Sequence, residues 1–197
     1  REAGTGLWRE NSLPAERREV QAHQAQASQA NTHQVRDLVI IMGVAGSGKT
    51  SIAEALSKAE GWPFVEADDY HSAANKEKMA SGTPLTDADR ADWVRSLCKT
   101  LTDMPEDRVV LACSALTPFV QTGLREQSGR TCLFVLLDVP KDELARRISS
   151  RADHFMPVSL LDSQLAALVP PEDVIRVDGM AAPIALVEDI RTRLAVA

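Results

Sequence analysis

The chain has 197 residues, with 22 Lys and Arg against 28 Asp and Glu and a formal net charge of -6. Hydrophobic residues make up 44% and charged residues 25%, the balance of a globular domain, so wholesale disorder is excluded; no apolar run nears the roughly 20 residues of a membrane span. The acidic balance argues against a nucleic-acid binder, and three widely spaced cysteines (Cys98, Cys113, Cys132) without a Cys-x-x-Cys argue against disulfides or zinc and for the cytoplasm.

Residues 1–36 are rich in Gln, Ala and Glu and carry few large apolar side chains after Trp8 and Leu13. They read as a polar, disordered or loosely helical extension, with residues 37–197 as the folded domain. Leu38 to Met42 is a continuous apolar run, the pattern of a strand buried on both faces. A glycine-rich loop follows, then a helix over 50–60 and a short strand over 63–67. Helices are expected over 73–80 and 87–104, separated by Gly82-Thr83-Pro84, and a strand over 108–113. Further strands are expected over 131–137 and 174–177, and further helices over 117–127, 141–151, 159–168 and 182–194. Apolar strands alternating with amphipathic helices mean a parallel sheet covered on both faces.

Gly43-Val44-Ala45-Gly46-Ser47-Gly48-Lys49-Thr50 matches G-x-x-x-x-G-K-[ST] in full. The glycines let successive N–H groups turn inward as an anion nest, and the following helix adds its positive N-terminal end. Lys49 is placed for the β- and γ-phosphates, the Thr50 hydroxyl for Mg²⁺, and Ser51 completes the cradle. The implied ligand is a nucleoside triphosphate, ATP, with Mg²⁺. No Asn-Lys-x-Asp guanine reader is present, and the third strand ends in Cys113-Ser114-Ala115 rather than in an acid. The magnesium-positioning acids are therefore sought after the second strand, at Asp68 and Asp69, on the edge of the sheet where ligands sit.

Further motifs surround this loop. They are Ala67-Asp68-Asp69-Tyr70-His71, Lys78-Met79, the run Gly82 to Arg90, Trp93, Ala112 to Leu116, His154-Phe155-Met156-Pro157, Leu160 to Gln164 and Pro170-Pro171. Together they resemble the gluconokinases of the small P-loop type, from about Leu38 to the end of the chain. That resemblance implies a nucleoside-monophosphate-kinase-like three-layer α/β/α domain with a five-stranded parallel sheet and a short lid. It implies transfer of the ATP γ-phosphate to the 6-hydroxyl of D-gluconate, and it points to a homodimer.

On this resemblance, Lys78 and Arg90 are the cations for the gluconate carboxylate, while Asp69, His71 and His154 bind substrate hydroxyls. Asp68 orients or deprotonates the attacking hydroxyl, or holds Mg²⁺; which of Asp68 and Asp69 does which stays open. Arg147 and Arg151 resemble lid arginines that close on the transferring phosphoryl group. Plainer roles stand beside these. Asp68 and Asp69 can cap a helix, and His71 and Lys78 can be surface residues. Asp87, Asp89 and Arg90 can be a capping and ion-pair cluster, Arg146 a solvated charge, and Trp93 and Cys113 core. The chain departs from the family pattern at Glu66, Ala67, Thr117 to Thr122, Asp153, Leu165 and Val169. A shikimate-like kinase, or an ATP-binding module without transfer activity, is the alternative those departures keep open.

Overall fold

The computed structural model describes residues 36–150 and 159–196. The expectations placed on residues 1–35, and on Arg151, Asp153 and His154, lie outside the described residues.

Five parallel strands are built in the order β2-β3-β1-β4-β5: β1 (Asp37–Met42), β2 (Phe64–Glu66), β3 (Arg108–Ala112), β4 (Thr131–Asp138) and β5 (Ile175–Asp178). The helices are α1 (Lys49–Glu60), α2 (Ala73–Ala80), α3 (Asp87–Asp103), α4 (Pro118–Gln127), α5 (Lys141–Ser149), α6 (Ser159–Ala167) and α7 (Pro183–Leu194), with a 3₁₀ turn over Ala67–Tyr70. The expected α/β fold is the one found, with element ends shifted mostly by one residue. The second strand is shorter than expected. The Glu66 carboxylate accepts from the Asp68 N–H, which curls the chain into the 3₁₀ turn before Ala67 can extend the sheet.

Strand alternation explains the layers. On β1, Leu38, Ile40 and Met42 face one core with Trp93, Leu97 and Leu101 of α3 and Val120 and Leu124 of α4. Val39 and Ile41 face the opposite core with Ile52 and Leu56 of α1 and Leu186 and Ile190 of α7. β1 sits at the centre, paired to β3 and β4, and all six of its residues are buried. A third cluster joins Val44 and Ala45 of the glycine-rich loop to Leu144 and Ile148 of α5 and Leu161 of α6. The loop therefore leaves the most deeply held strand and is clamped from a second side.

At the opposite end of α3, Arg130 is buried and directs its guanidinium to the carbonyls of Leu101, Met104 and Glu106 at 2.8–2.9 Å. A cation on the exposed C-terminal carbonyls of a helix opposes their partial negative charge. This fixes the far end of the helix whose first turns reach the site.

Candidate active site

The glycine-rich loop runs from β1 into α1 with Gly43, Gly46 and Gly48 at φ of 144°, 80° and 97°. Gly46 also has no room for a side chain, since a Cβ there would lie 2.9 Å from Ile148 and 3.2 Å from the Leu144 carbonyl. The Ser47 hydroxyl is buried without a hydrogen-bond partner, and the Lys49 ammonium donates to the Val44 carbonyl at 3.1 Å. A backbone turned by positive-φ glycines, an unmet hydroxyl and a lysine folded over the loop at the start of a helix fit a polyphosphate. Gln164 of α6 accepts from the Ala45 N–H at 2.7 Å, tying the loop to that helix.

Thr50 and Ser51 open α1 on the exposed side of the cradle. The Thr50 hydroxyl donates to the Glu66 carboxylate at 2.7 Å. Burial, and then the nearby Asp68 charge, pushes the Glu66 carboxyl above its ordinary value, against the lowering effect of the Thr50 hydrogen bond. A hydroxyl and a carboxylate whose charge lacks solvent fit a hard divalent cation with oxygen ligands. Among the described residues no cluster of three or more His, Cys, Asp and Glu exists, so such a cation would rely on phosphate and water for its other ligands. The acid that touches Thr50 is thus Glu66, which the sequence marks only as a departure from the family pattern. Asp68 stands beyond it, on the cavity side.

Arg147 of α5 reaches the same loop. It donates to the Ser47 carbonyl at 3.3 Å and the Gly179 carbonyl at 3.1 Å, and Glu143 holds it at 2.7 Å. Arg146 pairs with Glu143 as well but faces solvent. The hydrogen bonds from Arg146 and then Arg147 hold the Glu143 carboxyl down at about 2.

Beside the loop lies a cavity of about 220 Å³, lined by Asp68, His71, Arg90, Trp93, Ser114 and Thr117 among others. His71 stacks on Trp93 with ring centroids 4.4 Å apart, and its side chain is 6% exposed. Its Nε2 lies 3.9 Å from Asp68 and its Nδ1 has no partner. Burial lowers the His71 pKa more than the Asp68 charge raises it, so the imidazole is neutral near pH 7. Trp93 is both core and wall: it is buried, and its indole N–H donates to the Ala67 carbonyl at 2.8 Å. The Thr117 hydroxyl, at the N-cap of α4, is buried without a partner. Ala115, just before it, takes φ of 43°, an uncommon angle for a side-chain-bearing residue.

Arg90 is the one Lys or Arg among the described lining residues, and it also pairs with Asp87 at 2.9 Å. Two expected ligands are not brought to the cavity. Lys78 turns instead to Asp89, 2.6 Å away on α3, whose carboxylate is fixed by Thr86. Asp69 is exposed on the outer side of the 3₁₀ turn, since that turn presents successive side chains to different faces. Gln121, within the Thr117 to Thr122 departure from the family pattern, is buried and donates to the Ala115 and Val169 carbonyls, both at 2.8 Å.

A phosphate cradle at the carboxyl edge of a parallel sheet, with a cavity beside it, is the plan of a P-loop kinase. A family model described as an AAA domain matches residues 38–171. The chain is 44% identical over 164 residues to a gluconokinase of Gluconobacter oxydans, covering 77% of this chain and 88% of that protein. The crystal structure of a gluconokinase from Sinorhizobium meliloti superposes with a TM-score of 0.72 at 38% identity, covering 81% of this chain and 91% of that one. A shikimate kinase of Aquifex aeolicus shares the fold, with a TM-score of 0.57 at 16% identity over 80% of this chain and 96% of that one. The chain belongs to the gluconokinase family, and so to the transferases that use ATP.

Proposed function

We propose that the protein phosphorylates D-gluconate on its 6-hydroxyl, with ATP as donor, giving 6-phospho-D-gluconate. The observation that carries this is the cavity itself: one arginine for one carboxylate, unmet hydrogen-bonding groups on His71 and Thr117 for hydroxyls, and the Asp68 carboxylate in its wall. A polyol monoanion matches that inventory, and a relative at 44% identity carries the name gluconokinase.

ATP would lie with its phosphates on residues Gly43 to Ser51, and Mg²⁺, held at Thr50 with Glu66 behind it, would neutralise their charge. Lys49 exchanges its contact with the Val44 carbonyl for phosphate oxygens. Arg90 grips the carboxylate. The neutral His71 Nδ1 and the Thr117 hydroxyl bind substrate hydroxyls, both being buried groups that gain a partner when the acceptor arrives. Asp68 takes the proton of the attacking hydroxyl as its oxygen bonds to phosphorus and ADP leaves. Arg147 stabilises the transferring group from the loop side, Arg151 is assigned to the lid, and His154 to the acceptor. Asp69 and Lys78 act on the acceptor indirectly.

Among the described residues no helix is long and apolar enough to cross a membrane. The reading makes the protein cytoplasmic and a homodimer, with neither nucleic acid nor membrane as partner. A coupled assay with ATP, Mg²⁺ and a panel of sugar acids, with shikimate as a further arm, tests it. 6-Phosphogluconate is the expected product; its absence alongside tight ATP–Mg²⁺ binding overturns the reading.

A further inference from the structure

The outer wall of the acceptor cavity is a helical hairpin, α2 and α3 joined by residues 81–86. Met79, Thr83, Pro84, Leu85, Arg90 and Trp93 line the cavity from it. Helix α2 has only eight residues, and among them only Asn75 and Met79 are buried. So short a helix is not stable alone, and two buried side chains supply little apolar burial to hold it. Its position must come from polar bonds.

Those bonds converge on Asp89. One carboxylate oxygen accepts from the Lys78 ammonium of α2 at 2.6 Å. The other accepts from the Thr86 N–H at 2.9 Å and the Thr86 hydroxyl at 2.8 Å, closing the capping box of α3. Its backbone carbonyl accepts from the buried Asn75 amide at 2.7 Å. On the α2 side, the Lys78 carbonyl accepts from the Thr83 N–H at 2.9 Å and from the Ser81 hydroxyl at 2.8 Å. The first of these closes the turn that leaves α2, and Gly82, at φ of 77°, makes that turn accessible.

We propose that Asp89, Lys78 and Asn75 form a positioning clip that sets the acceptor wall, so that acceptor affinity depends on three residues that do not touch the acceptor. Lys78 and Asn75 hold α2 against α3, and the same aspartate anchors the turn immediately before Arg90. Loosening the clip displaces the Met79-to-Leu85 wall and the arginine together, while the phosphate cradle, built on β1 and α1, stays in place. The kinetic arm rests on the gluconate reading; the structural arm does not.

The test compares Lys78→Met, Lys78→Arg, Asp89→Asn and the double variant Lys78→Met/Asp89→Asn in the full chain. In Lys78→Met the KM for gluconate rises about fivefold, the KM for ATP stays within about twofold, and kcat changes less than the gluconate KM. Lys78→Arg stays near the parent. Asp89→Asn raises the gluconate KM similarly, and the double variant is no worse than the poorer single one, because the two residues act as one unit. Hydrogen exchange of ligand-free protein shows faster amides over residues 81–86 in Lys78→Met, with the phosphate loop unchanged. Lys78 is an exposed residue, so this variant folds. A raised gluconate KM in Lys78→Met with Asp89→Asn silent overturns the clip and returns Lys78 to the substrate. Unchanged exchange over residues 81–86 overturns it as well. A parent protein that makes no 6-phosphogluconate removes the gluconate reading, and the exchange measurement still decides the clip.

Discussion

The two halves of the site are built by different means. The phosphate cradle is backbone geometry: three glycines at positive φ, leaving a fully buried strand and packed against α5 and α6. The wall of the neighbouring cavity is side-chain geometry: the short, mostly exposed α2 is held to α3 by one aspartate and its partners. The first half recognises a group that every triphosphate shares, so it can be rigid and uniform. The second must match one acceptor, so its chemistry is carried by individually replaceable side chains. The difference teaches that substitutions in the first half should abolish turnover, whereas those in the second should shift affinity and choice of acceptor.

That contrast is breakable, and the largest effect is expected at the cradle. Lys49→Ala should lower kcat/KM about 10³-fold with either substrate varied, since the charge it supplies is needed as the phosphoryl group transfers. Steady-state assays that find less than about a tenfold loss would remove Lys49 from that role. Next, Asp68→Asn should lower kcat about 10²-fold and leave the gluconate KM within a few-fold, as loss of a proton acceptor does. A change confined to KM would make Asp68 a binding residue instead.

Arg90→Ala should raise the gluconate KM about tenfold or more and affect ATP little. Unchanged gluconate kinetics would place the carboxylate elsewhere in the cavity. The smallest effect is expected from Glu143→Gln, which loosens Arg147 over the loop and should lower kcat about threefold. Because Glu143 is held at about 2, below its ordinary value of 4.5, its contribution is present above the ordinary value and is lost as pH falls through about 2. The parent pH–rate profile should therefore show no inflection from this pair between about pH 5 and 9. An inflection there that disappears in Glu143→Gln would contradict the assignment.

Much of this is legible in the residues. The buried run Leu38–Met42, the glycine-rich octad and the strand–helix alternation dictate the sheet, its parallel sense and the ligand-bearing edge. The capping cluster before Trp93 is legible too, because a Thr-x-x-Asp box is a local pattern. Glu66 is not. Its role depends on the Thr50 hydroxyl, sixteen positions away in sequence, and on burial that no local pattern records. Lys78 is not legible for the same reason: a lysine near a substrate motif can serve the substrate or another helix, and only the folded structure places it 2.6 Å from Asp89. Thr117 and Gln121 stand in the sequence only as part of a departure from the family pattern. The structure adds that Gln121 is taken up by two carbonyls while Thr117 keeps an unmet hydroxyl on the cavity.

By itself, then, the sequence determined the fold, the phosphate cradle and the family, because these rest on residue order within short segments: apolar periodicity, glycines at fixed offsets, caps. Only the tertiary structure decided which acid bonds Thr50, which cation lines the cavity and which pairs with Asp89 instead. Those choices are made between segments far apart in the chain, where distance and burial, not spacing, settle which charge finds which partner.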